Sequence, residues 1–201
     1  MHKHCGSINE ASLIPFNVKA KLRSEKLLER LNHHPTEKKK KDEQILQKLL
    51  MLPEFQHART VLLYLPIHGE VDLRELFARK NHKLNKKFIL PRVKDEKTLH
   101  LYHVSNLDEV EVGRYKIMEP KTHLKQANPE EIDLAIVPGI VFAENGHRIG
   151  YGKGFYDRLL KKINTPKIGV AYHFQIVENI PGEVHDTPMD MIITEQKTIQ
   201  L

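Results

Sequence analysis

Three glycines alternate with other residues in a short basic stretch, Gly150-Tyr-Gly-Lys-Gly154, and Arg148 stands just before it. Glycine costs backbone entropy wherever it is held in place, so such a density needs a reason. Glycines let the backbone approach phosphate oxygens closely, while Arg148 and Lys153 supply positive charge beside it. We interpret the stretch as an anion-binding loop, with phosphate as the preferred ligand.

The loop matches neither of two familiar phosphate-binding motifs. A P-loop requires G-x-x-x-x-G-K-[ST], whereas Lys153 is followed by Gly154 and position 147 is not glycine. The dinucleotide-binding motif requires G-x-G-x-x-G, and the alternating glycines end one residue short of it. The alternative is a tight strand-to-helix connection with incidental basic residues. The glycine density together with Arg148 and Lys153 favours phosphate binding.

Two acidic residues extend this chemistry. Asp157 falls in the first turn of the helix predicted after the loop, where it could complement the helix dipole or bind magnesium. Asp186 lies in "GEVHDTPMD", where it could form a turn or supply a second carboxylate. Mg²⁺ needs only one or two carboxylates plus waters, so the pair predicts a magnesium site if the fold brings the two together.

Buried strands alternate with helices along the chain. This alternation predicts a single-domain α/β fold, layered and Rossmann-like, with a mostly parallel central sheet flanked by helices. Ligands of such sheets collect beyond the carboxyl ends of the strands, and the glycine loop follows a buried run. The predicted strands are "TVLLYLP" (60–66), "KFILP" (87–91), the half-exposed "TLHLYHV" (98–104), "EEIDLAIVPG" (130–139), "PKIGVAY" (166–172) and "MDMIITE" (189–195).

Helical spacing of apolar residues predicts the flanking helices. The lysines at 38–41 precede four apolar residues at helical spacing in 45–50, so they are interpreted as the exposed face of a helix over 36–52. A nucleic-acid site would require interleaved aromatic residues or a known motif. The other predicted helices are one capped near Asn17 that buries Leu27, Leu28 and Leu31, a short one opened by a capping box of Asp72 and Glu75, "FYDRLLKKI" (155–163) and "HFQIVENI" (173–180).

Composition sets the class of protein. With 201 residues, 40% of them hydrophobic and 29% charged, the chain is sized for one soluble domain. The net charge of +6 favours an anionic partner. Cys5 is the single cysteine, and the sequence has neither a signal peptide nor an apolar run of about 20 residues, so we expect a cytoplasmic protein. Residues 1–15 are expected to be flexible, and the chain to be monomeric.

The segment "VPGIVFAENGHRIGYGKGFYDRLL" (137–160) resembles the signature of the 5-formyltetrahydrofolate cyclo-ligase (5,10-methenyltetrahydrofolate synthetase) family. The likeness extends from about Lys19 to Ile193. It includes "KAKLR", "LLYLPIHGEVD", "PRV", the "EP" at 119–120 and "HDTPMD". The resemblance implies a ligase that uses ATP and Mg²⁺ to cyclise 5-formyltetrahydrofolate, with ATP and a reduced folate, with or without a polyglutamate tail, as small-molecule partners. It implies no nucleic-acid or membrane partner.

The resemblance also implies roles for individual residues. Arg148 and Lys153 would be catalytic, Asp157 and Asp186 would hold the magnesium ion, and Glu70 would accept hydrogen bonds from the pterin. Tyr151 stands where some members carry a basic residue, and Phe155 where some carry tyrosine. The implied folate-pocket residues are Leu65, Glu70, Tyr151 and Phe155, and the implied ATP-binding residues are Lys19, Arg23, Arg148, Ile149, Gly150, Tyr151, Gly152, Lys153, Gly154, Phe155 and Tyr156.

Two other classes of function compete with this interpretation. A sugar-phosphate isomerase or acyl-transfer protein would also use a glycine loop, but it would need an acid–base pair there and no nucleotide. A basic nucleic-acid-binding module would bind oligonucleotides with a steep salt dependence. Formation of a methenyl product that depends on ATP distinguishes all three.

Overall fold

The computed structural model describes residues 14–80 and 84–201. Most of the N-terminal segment predicted to be flexible therefore lies outside the described residues. The helices are α1 (Ile14–Leu31), α2 (Pro35–Met51), α3 (Pro53–His57), α4 (Glu75–Lys80) and α5 (Phe155–Leu160). The strands are β1 (Thr60–Leu62), β2 (Lys87–Val93), β3 (Leu99–Val104), β4 (Val110–Val112), β5 (Met118–Pro120), β6 (Gln126–Ala127), β7 (Leu134–Val137), β8 (Val141–Ala143), β9 (Arg148–Ile149), β10 (Lys167–Val170), β11 (Ile176–Val177), β12 (Met191–Ile193) and β13 (Thr198–Gln200).

Eight strands form the central sheet in the order β13-β12-β10-β7-β1-β2-β3-β6. The five strands from β12 to β2 are parallel, and β13, β3 and β6 are antiparallel at the two edges. Strands β11, β8 and β9 form a second sheet, and β4 and β5 form a hairpin. The mostly parallel α/β sheet is therefore confirmed, as are all six strands and the helix over 36–52 that the sequence predicted.

Apolar side chains cover both faces of this sheet. Strand β7 shows the arrangement, because Leu134 and Ile136 join one core cluster while Ala135 and Val137 join the other. Residues of α2, α3 and α4 pack in the first cluster, and residues of α5 pack in the second. Burial on both faces explains why the central strands read as continuous apolar runs. In the described part of the chain, no helix combines the length and apolar character of a membrane span.

The prediction for α1 was partly wrong. The helix begins at Ile14, so Asn17 lies inside it rather than at its cap. Leu27 packs against a small cluster from the second sheet, whereas Leu28 and Leu31 are 62% and 55% exposed. Because α1 lies against this narrow sheet, it has only a thin apolar stripe to bury. The buried residue near its end is instead charged, namely Arg30.

Two further local predictions were wrong. Asp72 and Glu75 form no capping box, because the Asp72 carboxylate accepts hydrogen bonds from Arg74 and Glu75 pairs with Arg79 within α4. The predicted helix over 173–180 is a single 3₁₀ turn followed by β11. Pairing of β11 with β8 satisfies the backbone there and replaces the helix.

Candidate functional site

One cavity of about 890 Å³ lies beside the chain segments that follow β1 and β7. It therefore lies at the carboxyl ends of central strands, as the sequence predicted. Every one of the site residues predicted from the sequence lines this cavity. They are Lys19, Arg23, Leu65, Glu70, Arg148, Ile149, Gly150, Tyr151, Gly152, Lys153, Gly154, Phe155, Tyr156, Asp157 and Asp186.

The glycine loop connects β9 to α5 along the wall of the cavity. Gly152 and Gly154 have φ angles of 89° and 63°, a left-handed conformation that favours glycine. Gly150 is constrained in a different way, because a Cβ atom there would make a tight contact of 3.2 Å with Nη1 of Arg148. The glycine spacing thus serves two backbone turns and the close approach of one guanidinium group.

Arg148 is buried between this loop and α5. Its Nη2 donates to Oδ1 of Asp157 at 2.8 Å, and its guanidinium lies 5.6 Å from the centre of the Tyr156 ring. Burial lowers the pKa of Arg148, although the Asp157 carboxylate acts in the opposite direction, and the guanidinium stays protonated. Its Nε is buried without a hydrogen-bond partner. Because buried donors are nearly always paired, this unpaired N–H is an exception to the usual packing of a protein interior.

Lys19 and Asp186 form a second ion pair in the cavity. Lys19 Nζ donates to Oε1 of Glu183 at 2.7 Å and to Oδ2 of Asp186 at 3.1 Å. Burial opposes the charge on Lys19, but these two hydrogen bonds raise its pKa overall. Burial likewise opposes ionisation of Asp186, yet the Glu183 amide and Lys19 lower its pKa overall. On the same helix face, Arg23 Nε donates to the carbonyl of Gly150 at 2.8 Å.

We call Lys19, Arg23, Arg148, Asp157 and Asp186 the aspartate cluster. The segments that carry its two aspartates are in contact, because the Thr187 hydroxyl donates to the Asp157 carbonyl at 3.5 Å. Across residues 14–80 and 84–201, no group of three or more His, Cys, Asp or Glu side chains is arranged to hold a metal ion. A pair of carboxylates still fits Mg²⁺, which takes its remaining ligands from water and phosphate.

Lys153 lies apart from Arg148. Its Nζ is 4.0 Å from the centre of the Tyr115 ring, on the turn of the β4–β5 hairpin, and its carbonyl accepts a hydrogen bond from Arg158. Phe155 also contacts Arg158, whose guanidinium lies 5.6 Å from its ring centre. The two residues predicted to be catalytic therefore line the same cavity through different contacts.

Glu70 and Tyr151 line another part of the cavity, and Arg30 lies buried behind them; we call these three residues the Glu70 cluster. Burial raises the pKa of Glu70 to about 7, although Nη2 of Arg30 lies 3.9 Å from its Oε1. Oε2 accepts from the Ile67 amide at 3.1 Å, and the Tyr151 hydroxyl lies 3.4 Å from Oε1. Sequence reasoning missed Arg30. The one signal in the sequence was its position seven residues after Arg23, which places the two on one helix face.

Glu119 was also missed as an individual residue, although the "EP" pair contributed to the family resemblance. This buried carboxylate accepts from the amides of Val93 and Arg114 at 3.1 and 3.2 Å. A Cβ atom at Gly113 would overlap the carboxylate. Glu119 thereby fixes the β4–β5 hairpin, which supplies Tyr115 to the cavity wall, onto β2.

Comparison with known proteins gives one consistent result. The model of the "5-formyltetrahydrofolate cyclo-ligase family" matches residues 15–195. The 5-formyltetrahydrofolate cyclo-ligase of Escherichia coli K12 is 30% identical over 175 residues, covering 81% of this chain and 92% of the relative. That of Mycoplasma genitalium is 31% identical and covers 87% of this chain and 96% of the relative.

Solved structures agree with the sequence relatives. The NMR structure of Aquifex aeolicus 5,10-methenyltetrahydrofolate synthetase has a TM-score of 0.82 at 40% identity, covering 91% of this chain and 92% of that one. The structure of the Mycoplasma pneumoniae 5,10-methenyltetrahydrofolate synthetase has a TM-score of 0.73 at 26% identity, covering 88% and 98%. The family resemblance and the prediction of an enzyme are thus confirmed: the chain belongs to the 5-formyltetrahydrofolate cyclo-ligase family.

Proposed function

We propose that this protein uses ATP and Mg²⁺ to cyclise 5-formyltetrahydrofolate to 5,10-methenyltetrahydrofolate, with release of ADP and phosphate. The observation that supports the proposal most strongly is that the glycine loop, the aspartate cluster, Glu70 and Tyr151 line a single cavity of about 890 Å³. Small-molecule sites span roughly 300–1,000 Å³, so this one lies near the upper end of that range. The names of the relatives support the same reaction.

The reaction proceeds in two steps. The formyl oxygen attacks the γ-phosphorus of ATP, the bond to the bridging oxygen breaks, and ADP leaves with the electron pair. N10 then attacks the formyl carbon of the resulting phosphorylated imidate, the carbon–oxygen bond breaks, and phosphate leaves with that pair and takes up the N10 proton. An amide oxygen is a poor leaving group, and phosphorylation removes that obstacle. The protein's part is to position the reactants and to neutralise charge.

The aspartate cluster provides the charges for the first step. Arg148, Lys19 and Arg23 bind phosphate oxygens together with the loop amides of 149–156 and the Lys153 ammonium. Asp157 and Asp186 would hold the magnesium ion. The bound metal would offset negative charge on the transferring phosphoryl group.

The Glu70 cluster binds the folate. Ionised Glu70 accepts two hydrogen bonds from the amino-pyrimidine edge of the pterin, while Leu65, Tyr151 and Phe155 line the pocket around it. We further propose that the enzyme acts as a monomer in the cytoplasm on small molecules alone, without nucleic-acid or membrane partners.

A single assay tests the function. Purified protein is mixed with ATP, Mg²⁺ and 5-formyltetrahydrofolate, and the methenyl chromophore is followed by absorbance, with controls that omit ATP or Mg²⁺. We expect product only in the complete mixture, with ADP and phosphate formed in equal amounts. Product formed without nucleotide would favour an isomerase or acyl-transfer class. Salt-sensitive oligonucleotide binding with no product would favour a nucleic-acid module.

A further inference from the structure

Arg30 joins three segments of the cavity wall through a guanidinium that is almost completely buried, since the residue is only 1% exposed. Its Nε donates to the carbonyl of His68 at 2.9 Å, and Nη1 donates to the carbonyl of Gly139 at 2.8 Å. Nη2 donates to the Tyr151 hydroxyl at 2.5 Å. These acceptors lie after β1, after β7 and in the glycine loop, so one side chain cross-links the segments that carry both clusters.

The turn that carries Glu70 is packed directly against the end of α1. His68 and Gly69 both have left-handed φ angles, of 46° and 77°. A Cβ atom at Gly69 would lie 3.1 Å from the carbonyl oxygen of Arg30. His68 in this conformation is strained, and such strain persists only where surrounding contacts fix the backbone. The hydrogen bond from Arg30 to the His68 carbonyl is one of those contacts.

Arg30 also provides charge and orientation to Glu70. Because the Tyr151 hydroxyl accepts from Arg30, its own proton is left to donate to Oε1 of Glu70. The other oxygen of Glu70 is fixed by the Ile67 amide. Loss of the guanidinium would leave a carboxylate, 4% exposed, without its nearest positive charge. A carboxylate gains about one to three pKa units when such a neighbour is removed.

The titratable groups that face Glu70 come from several elements. The cations are Arg30 from α1 and Lys38 from α2, whose charge also acts on Glu70. Tyr64, Tyr151 and Tyr156 stay neutral, because burial raises the pKa of each phenol. Behind the turn, the Tyr172 hydroxyl donates to Asp42 and lies 3.4 Å from the Glu70 carbonyl. Of these groups, Arg30 is the cation within ion-pair distance.

We propose that Arg30 is a positioning residue for folate binding: it fixes Glu70 and Tyr151 in the orientation that receives the pterin and favours the ionised form of Glu70. It acts through these two side chains and does not itself touch substrate. The inference rests on the proposed function, and it assigns α1 a second role. The helix serves ATP through Lys19 and Arg23 and serves folate through Arg30.

The test uses two variants of the full-length protein, Arg30→Met and Arg30→Lys. Lys21→Met is the matched control, because Lys21 lies on the same helix with its side chain 74% exposed. Dissociation constants for 5-formyltetrahydrofolate and for ATP with Mg²⁺ are measured by calorimetry from pH 5.5 to 9, and folding is checked by thermal melting. For the wild type and the control, we expect folate binding to tighten as the pH rises through about 7, where Glu70 ionises.

Arg30→Met should bind folate about tenfold to a hundredfold more weakly at pH 8, with its pH midpoint raised by about one to three units. Arg30→Lys retains the charge but loses the three-way fork, so its midpoint should stay near 7 while folate binding weakens about threefold to tenfold. Binding of ATP with Mg²⁺ should change less than about twofold in both variants, because the groups proposed to bind it are untouched.

Folate binding within twofold of the wild type and with an unchanged midpoint in folded Arg30→Met would overturn the proposal. Equal losses of ATP and folate binding in both variants would also overturn it, since that pattern indicates a purely structural role. If Arg30→Met does not fold, Arg30→Lys decides, and failure of both to fold counts against the proposal. A wild type that neither binds nor converts 5-formyltetrahydrofolate would instead refute the proposed function.

Discussion

The aspartate cluster and the Glu70 cluster adjoin the same cavity but differ in how far their charges are buried. In the aspartate cluster, the cations proposed for phosphate pair with the carboxylates proposed for magnesium, as in Lys19 with Asp186 and Arg148 with Asp157. In the Glu70 cluster, the Arg30 and Glu70 side chains are 0% and 4% exposed. The first cluster thus contains two ion pairs that each keep part of a side chain exposed, whereas in the second both charged partners are almost fully buried.

This difference matches the two ligands. A metal–triphosphate complex carries both signs of charge. When it binds, each cation of the cluster can exchange its carboxylate for a phosphate, and each carboxylate can exchange its cation for the metal, so no charge is left unpaired. A pterin edge is uncharged and offers only directional N–H groups. Recognising it requires an acceptor that is oriented before the ligand arrives, which a buried and hydrogen-bonded carboxylate provides. The cavity therefore combines one region whose ion pairs can exchange partners with the ligand and another whose hydrogen-bond acceptor is oriented in advance.

The largest effect is expected from Arg148→Ala in the aspartate cluster. We expect kcat to fall about a hundredfold to a thousandfold, because a preorganised donor to the transferring phosphoryl group is lost. The rate of methenyl formation measures it. Arg79→Ala, which removes an exposed arginine paired with Glu75, is the matched control. Near-normal turnover by a folded Arg148→Ala enzyme would reject the assigned role.

In the Glu70 cluster, Glu70→Gln should raise KM for 5-formyltetrahydrofolate about tenfold to a hundredfold. That range corresponds to the loss of a charged hydrogen bond worth about 1.5–3 kcal/mol. KM for ATP should change little, and steady-state kinetics with each substrate varied in turn measures the contrast. The exposed Glu75→Gln serves as the control. Parallel increases in both KM values would show that the two clusters are not separable.

The burial of Glu70 also predicts that the stability of the protein depends on pH, and the same variant tests this. The pKa of Glu70 in the folded state, about 7, lies above its ordinary value of 4.5, so the folded state holds this proton more tightly than the unfolded chain. The stability gained is fully present below pH 4.5 and is lost as the pH rises to 7, a change of about 3 kcal/mol. The free energy of unfolding, measured with urea, should therefore fall more steeply with rising pH in the wild type than in Glu70→Gln across this window. Parallel curves would contradict the buried position of the carboxylate.

A smaller effect tests the exchange of ion pairs in the aspartate cluster. Asp186→Asn removes one of the two carboxylates that hold Lys19, so ATP without Mg²⁺ should bind about twofold to fivefold more tightly. With Mg²⁺ present, binding should instead weaken, because a metal ligand is lost. Calorimetry with and without Mg²⁺ measures both. Asp190→Asn, at a residue that pairs with Lys167, should change neither.

The smallest effect concerns the backbone of the glycine loop. Gly152→Ala should destabilise the protein by about 1 kcal/mol, because an alanine there must adopt a φ of 89°. Free space remains around that position, since the nearest atom to a Cβ would be Arg23 Nη2 at 3.6 Å. Gly150→Ala is the comparison, and it should cost less stability while crowding Arg148. Equal losses of stability from thermal melts would refute a conformational origin of the effect.

The sequence predicted most where the local pattern and the tertiary environment agree. Strand β7 is apolar throughout because both of its faces are buried, and α2 buries Ile45, Leu46 and Leu49 at helical spacing. The glycine loop was identified because alternating glycines beside basic residues favour anion binding through local chemistry alone. The shared position of the aspartate cluster could be expected only through the family resemblance, since Lys19 and Asp186 are 167 residues apart.

What the sequence did not predict depends on partners that are distant in the chain. Leu28 and Leu31 read as core residues, but α1 faces a narrow sheet that leaves them exposed. The 173–180 segment was predicted to be a helix, yet pairing with β8 makes Ile176 and Val177 at its centre a strand. Arg30 reads as a surface residue, because a buried guanidinium is recognisable only once its acceptors in three other segments are known.

The contact between Gly113 and Glu119 has an evolutionary consequence. Any side chain larger than hydrogen at position 113 would collide with the Glu119 carboxylate. A relative with a side chain at position 113 must therefore have a shorter side chain or no acid at position 119. The amides of Val93 and Arg114 then need another acceptor. We expect these two positions to covary across homologues, and hairpins lacking the pair to be held against β2 by a different contact.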